Sequence, residues 1–200
     1  MITDLFANFL YSEHIDVDNQ NLESLAYNIR NNSPGVFASN EGGWQSESVQ
    51  HEPLLQELLE QIKHHANVLH TSIGLNGEFY EQCVGNIWIN INGFKNFNNP
   101  HVHPNSCFSG VYYIKVKPMA GGIHLMTPNP GYYYTIPPYV IDDSASTGLA
   151  TNKYLGEGYV EAAQEGKLII FPSWLMHFTQ PNLSDSDRIS IAFNTYIKRK

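Results

Sequence analysis

Residues 84–93 read VGNIWINING. Ile87, Ile89 and Ile91 fall on one side of a two-residue repeat, and Asn86, Trp88, Asn90 and Asn92 on the other. A strand sends successive side chains to opposite faces, whereas a helix would scatter these isoleucines around its surface. The segment is therefore predicted to be a strand with one face in a core and one polar, potentially functional face. From residue 79 onward short runs of the same kind recur: SGVYYIKVKP (109–118), GGIHLMTP (121–128), YVEAA (159–163), GKLIIFP (166–172), MHFTQP (176–181) and RISIAFNTYI (188–197). With the segment around His101 that makes about eight short strands punctuated by Gly and Pro, which predicts a barrel or a double-sheet jelly roll.

The first third has a different period. NQNLESLAYNIRNN (19–32) places Leu22, Leu25, Ala26 and Ile29 on one helical face. In EPLLQELLEQIKHHANVLHTSIG (52–74), Pro53 stands near the first helical position. Leu54, Leu55, Leu58, Leu59, Ile62, Ala66 and Leu69 form the stripe, and Gly74 closes it. EGGWQSES (41–48) reads as a glycine-containing loop. The expected organisation is one domain over 1–200, with a helical N-terminal part (1–78) packed on one sheet of a mainly β core (79–197). An insertion at 129–157, crowded with Pro and with Tyr132, Tyr133, Tyr134 and Tyr139, interrupts that core. It reads equally as a binding loop or a packed connector.

Charge narrows the partners. The net charge is -8, from 11 Lys and Arg against 19 Asp and Glu, and the only basic cluster is Lys198, Arg199 and Lys200. A surface that tracks phosphates needs clustered cations, so nucleic acid is not an expected partner. Two cysteines, Cys83 and Cys107, make no disulfide framework and are expected as reduced thiols. The N-terminus lacks a basic n-region, and no apolar run reaches the ~18 residues of a membrane span. The expectation is a cytoplasmic protein that does not enter a membrane.

The chemistry concentrates in three places. NPHVHPNSCFSG (99–110) carries His101 and His103, which would share one side of an extended strand and converge on an ion. His177, on a late strand, can lie beside them in a jelly roll and complete a facial set of three ligands with open positions. Arg188 and Ser190 also share a side. An inward arginine in an apolar barrel requires an anion, and a ligand carboxylate held by both guanidinium arms would supply it.

Taken together, HVHPNSCFSGVYYIKV, GGIHL, GKLIIFPSWLMHFTQP, RISIAFN and GGWQS (42–46) resemble the iron(II)/2-oxoglutarate-dependent oxygenases. The resemblance is strongest to a prolyl-hydroxylase-like group of phages and bacteria marked by an HxHPNS and an FPSWLxH segment. It covers residues 40–195, most of the chain. It implies a double-stranded β-helix, Fe(II) as metal and 2-oxoglutarate as cosubstrate. It further implies His101, His103 and His177 as ligands, Arg188 with Ser190 on the far carboxylate, and Tyr113 reaching the same carboxylate. No catalytic side chain beyond the ligands is implied. Strand parity adds Asn90 or Trp88 to the pocket wall. The implied reaction couples oxidative decarboxylation of 2-oxoglutarate, giving succinate and CO2, to hydroxylation of a substrate C–H bond by O2.

One position departs from the wider superfamily, which usually has Asp or Glu where this chain has His103. No carboxylate lies between Glu81 and Asp142 to replace it. Three neutral imidazoles would leave the site one unit more positive than two imidazoles and a carboxylate. An all-histidine set also suits a cupin-like metalloprotein: a 2-oxoglutarate-independent dioxygenase, an isomerase or a binding protein. That reading lacks the glutamate that follows a cupin HxH and gives Arg188 no role. A third reading is a jelly roll in which the histidines merely pack. His124 is read as a core or rim residue, and His64, His65 and His70 as helix packing. The expected substrate is a small molecule or a protein side chain, and edge strands leave room for a homodimer.

Overall fold

The alternation of 84–93 is realised in a long strand, β4 (Tyr80–Asn92), and everything else is arranged around it. The computed structural model describes residues 3, 5, 7–128 and 158–200; the expected insertion at 129–157 and its tyrosines lie outside them. In chain order the elements are β1 (Tyr11–His14), α1 (Asn19–Asn32), β2 (Asn40–Glu41), β3 (Trp44–Gln45), a 3-10 turn (Pro53–Leu55), α2 (Gln56–Ser72) and β4. Then follow β5 (Phe97–His101), β6 (Phe108–Lys115), β7 (Gly122–Met126), β8 (Gly158–Ala162), β9 (Lys167–Pro172), β10 (His177–Thr179) and β11 (Arg188–Arg199).

The strands form a six-stranded sheet, β1-β9-β6-β11-β4-β3, and a five-stranded sheet, β2-β5-β10-β7-β8. Every pairing is antiparallel. This is the double-stranded β-helix that the motifs imply. Val111 and Tyr113 of β6 and Ile169 and Phe171 of β9 meet Ile123 and Leu125 of β7 in one buried cluster that joins the two sheets. The opposite face of the large sheet carries the main core. Ile87, Ile89, Ile91, Tyr112, Ile189, Ile191 and Phe193 pack there against Leu22, Leu25 and Ala26 of α1 and Leu58, Ile62, Ala66 and Leu69 of α2. Each such Leu, Ile or Phe side chain, fully buried, contributes about 1.5–3 kcal/mol.

Polar contacts fix the helices on this face. Asp18 caps α1 by accepting from the Asn21 N–H at 3.0 Å. The Tyr112 hydroxyl donates to Asn19 Oδ1 (2.8 Å), and the Lys115 ammonium to Glu23 Oε1 (2.6 Å).

Two expectations change. The segment 1–78 is not only helical: β1 extends the large sheet by pairing Tyr11 with Ile170, β3 pairs with β4, and β2 pairs with β5. These strands are four, two and two residues long, too short for a period to show. Leu54 leaves the predicted stripe. The 3-10 turn over Pro53–Leu55 buries Leu55 and turns Leu54 outward, 53% exposed.

Gly110, in the middle of β6, has a packing reason. A Cβ there would overlap the Phe193 ring and the Ile169 carbonyl, so only glycine lets β6 lie this close to its neighbours.

Candidate metal centre

Between the sheets lies a cavity of about 530 Å³, open at one end. From the large sheet it is lined by Trp88, Asn90, Tyr113, Arg188, Ser190 and Asn194, among others, and from the small sheet by His101, His177 and Thr179. Alternation puts them there. On β4 the isoleucines face the helices, and Asn86, Trp88 and Asn90 face the cavity. On β11 the cavity takes Arg188, Ser190, Ala192 and Asn194.

The three histidines come together. His101 is the last residue of β5 and His177 the first of β10, and the two are register partners. One ligand nitrogen from each of His101, His103 and His177 lies within 4.8 Å of the others. Ring centroids are 4.4 Å apart for His101 and His177, 4.9 Å for His101 and His103, and 5.1 Å for His103 and His177.

Strand parity does not bring His103 in as expected. β5 ends at His101, and the chain turns through Pro104 and Asn105, the latter with φ of 63°. His103 reaches the cluster from this loop, packing against Trp88 with centroids 5.7 Å apart.

Two rings have their tautomer set by the backbone. His101 Nδ1–H donates to the Asn99 carbonyl (2.6 Å) and His177 Nδ1–H to the Leu175 carbonyl (2.8 Å). That leaves each Nε2 lone pair free for an ion, the usual arrangement behind metal-binding imidazoles. Burial disfavours protonation of all three. It lowers His101, takes His103 to about 4 with help from the neighbouring His101 ring, and takes His177 to about 3. All three are neutral near pH 7, as a metal requires. An all-nitrogen set of this kind fits a first-row divalent ion such as iron.

Arg188 sits deeper, 1% exposed. Nη1 donates to the carbonyls of Ala120 (2.6 Å) and Gln180 (2.9 Å), and Nη2 to Thr179 Oγ1 (3.1 Å). Among the described residues it has no carboxylate partner. A guanidinium has five N–H donors, and three bonds leave some for an anion. Burial pushes Arg188 below its ordinary pKa, with the Tyr113 hydroxyl opposing. Tyr113 is 2% exposed and pushed up to about 12 by burial, so its hydroxyl stays protonated as a donor. Ser190 and Asn90 face each other across β11 and β4, both lining the cavity. Among the described residues, Asn90 Oδ1 is buried with no hydrogen-bond partner.

Sequence reasoning missed Thr179 and Asn194. Thr179 lies two residues beyond His177 on one strand, so parity alone could have placed it. His124 stacks on Phe178 with centroids 4.6 Å apart; Ile123, its neighbour, lines the cavity and His124 does not. His70 is buried on α2 with Nδ1 against Gln82 Nε2 (3.1 Å), and His65 Nδ1 meets the Tyr11 hydroxyl (2.7 Å). Cys83 and Cys107 are free thiols, each partly buried. No described helix is long and apolar enough to cross a membrane.

A two-sheet barrel with a cluster of three histidines at one level and, on the same inner surface, a buried cation without a carboxylate partner among the described residues can take a metal and an anionic ligand. The family model described as "Putative 2OG-Fe(II) oxygenase" matches residues 86–194, and the chain belongs to that family of Fe(II)- and 2-oxoglutarate-dependent oxygenases. No curated protein matches it in sequence.

Among solved structures, the epimerase SnoN in complex with Fe3+, alpha ketoglutarate and nogalamycin RO is similar at TM-score 0.67 and 11% identity, over 96% of this chain and 82% of that one. A Pseudomonas putida prolyl-4-hydroxylase is similar at TM-score 0.57 and 12% identity, over 94% and 92%. The viral collagen prolyl hydroxylase of Paramecium Bursaria Chlorella virus-1, solved with 2OG, is similar at 0.55 and 12%, over 92% and 95%. At such identities these likenesses speak for the fold.

Proposed function

We propose that the chain hydroxylates a C–H bond of its substrate, with release of succinate and CO2, using His101, His103 and His177 as iron ligands. The observation that carries this reading is Arg188: a buried cation without a carboxylate partner among the described residues, opening on the same cavity as the histidines. Bound iron would activate O2 and accept the keto-acid end of the cosubstrate, the chemistry that the metal rather than the protein supplies. The chain's own groups do the rest. Arg188 holds the far carboxylate, oriented by the Ala120 and Gln180 carbonyls and by Thr179. Ser190, Tyr113 and Asn90 complete that end with hydroxyl and amide donors. Thr179 stands two residues beyond His177, about 6–7 Å along the strand. That spacing suits a ligand chelating at one end and carrying a carboxylate at the other.

The substrate then meets the cavity wall formed by Trp88, Asn86, Asn194, Ala38, Ser39 and Gln45. A small molecule and an amino-acid side chain of a protein both fit that description. A specific feature favours a second reading: the cluster is all imidazole, as in cupin-like enzymes that work without 2-oxoglutarate.

One experiment separates the two. Anaerobic protein is titrated with Fe(II) and 2-oxoglutarate, singly and together. A weak visible charge-transfer band that needs both, followed by succinate formation in air, is the expected result. Iron binding with no band and no succinate would assign the site to the cupin-like chemistry.

A further inference from the structure

His101 and His177 are held by strand pairing and by their ring N–H bonds, but His103 has neither. It stands two residues past the end of β5, and its ring has no hydrogen-bond partner among the described residues. Its backbone N–H donates to the Ser173 carbonyl at 3.0 Å. The Ser173 N–H in turn donates to the Cys107 carbonyl at 3.2 Å. Ser173 thus clasps both ends of the 103–107 loop.

The clasp is itself anchored from the large sheet. Ser173 and Ser109 hydroxyls are 2.8 Å apart, Ser109 Oγ is 2.7 Å from Asn194 Oδ1, and Asn194 Nδ2 donates to Asn86 Oδ1 at 3.0 Å. An amide oxygen only accepts, so Ser109 donates to Asn194 and must accept from Ser173. The chain of bonds therefore runs one way, from Ser173 through Ser109 and Asn194 to Asn86. Ser173 is 0%, Ser109 1% and Asn194 7% exposed. Buried hydroxyls are placed only where their bonds are made, and each bond here is made.

We infer that Ser109, Ser173 and Asn194 are positioning residues for His103. They lock the loop so that its imidazole meets the other two without a carboxylate or a ring N–H bond to orient it. The inference rests on the reading of His103 as a ligand. It assigns to main-chain clasping the task that partners of the ring nitrogens perform for His101 and His177.

The test is anaerobic Fe(II) affinity, read by metal titration rather than by turnover. Ser109→Ala should weaken Fe(II) binding about 10–100-fold, the usual cost of losing an outer partner of a ligand. Ser173→Ala, which cuts the same chain one link nearer the loop, should do likewise. His103→Ala should weaken binding too, and adding Ser109→Ala to it should cost nothing further, because both act through one side chain. Ile62→Ala, on the helix side of the large sheet, should lower the melting temperature and leave Fe(II) affinity unchanged. Unchanged affinity in both serine variants, or a serine loss that adds fully to that of His103→Ala, would overturn the inference while leaving the three-histidine reading intact. Wild-type protein that binds no Fe(II), or a His103→Ala variant that binds it equally well, would sink the ligand reading and the inference with it.

Discussion

Arg188 is the side chain most expensive to bury and the one whose removal is most informative. Leucine at this position should leave iron binding in place and raise the Kd for 2-oxoglutarate by roughly 10²-fold, from the loss of charge-assisted bonds of about 1.5–3 kcal/mol each. Calorimetry with iron already bound reads this directly; unchanged cosubstrate affinity would show that Arg188 is a structural cation. The histidines make a pH prediction. Their folded pKa values are depressed from 6.5, His103 to about 4 and His177 to about 3, so the folded state resists protonation more than the unfolded chain does. The metal-free protein should keep its full stability above pH 6.5 and lose it progressively as pH falls towards 3. Melting temperature against pH measures this, and His177→Gln should flatten the slope. Arg188 and Ser190 were legible as cavity-facing candidates because parity acts along a single strand, and His101 and His177 because a jelly roll sets their strands side by side. His103 was legible as a candidate beside His101 but not in its placement: Pro104 and the left-handed Asn105 take the chain out of the strand, and the clasp that replaces it is long-range.

At the scale of elements, β6 is the most constrained. Gly110→Ala places a methyl against Phe193 and the Ile169 carbonyl, and should destabilise by about 1–3 kcal/mol in chemical denaturation. A negligible change would mean that β6 and β9 can separate freely. Helix α2 predicts the reverse kind of loss. Ile62, 0% exposed, leaves a cavity when cut to alanine, at a cost of about 2–5 kcal/mol. Both helices and β4 through β11 could be read from period and punctuation. β1, β2 and β3 could not, because YSEH, NE and WQ contain no repeat and become strands only by meeting residues far along the chain. Sequence periodicity registers how a segment faces a core, not that a distant edge is waiting for it.

Across the whole molecule the two sheets are held by apolar packing, by the Arg188–Thr179 hydrogen bond and, among the described residues, by an ionic pin. Lys167 of β9 and Glu161 of β8 form an ion pair, each 9% exposed, where the chain crosses from the small sheet to the large one. Removing one partner strands a buried charge, so Glu161→Gln should cost about 3–5 kcal/mol, while the paired replacement Glu161→Leu with Lys167→Met should recover most of it. Denaturation of the single and double variants checks both; equal losses would show that hydrophobic contact alone aligns the sheets at this end. The register pairing of His101 with His177 carries a consequence in time. The two come from distant parts of the chain and are adjacent only once β5 and β10 have zipped together. Before that, a newly made chain offers an ion only the local pair His101 and His103, and the complete set of three exists only in the folded barrel. Loading follows folding, and a chelator should empty the cage while far-ultraviolet circular dichroism continues to report an intact β architecture.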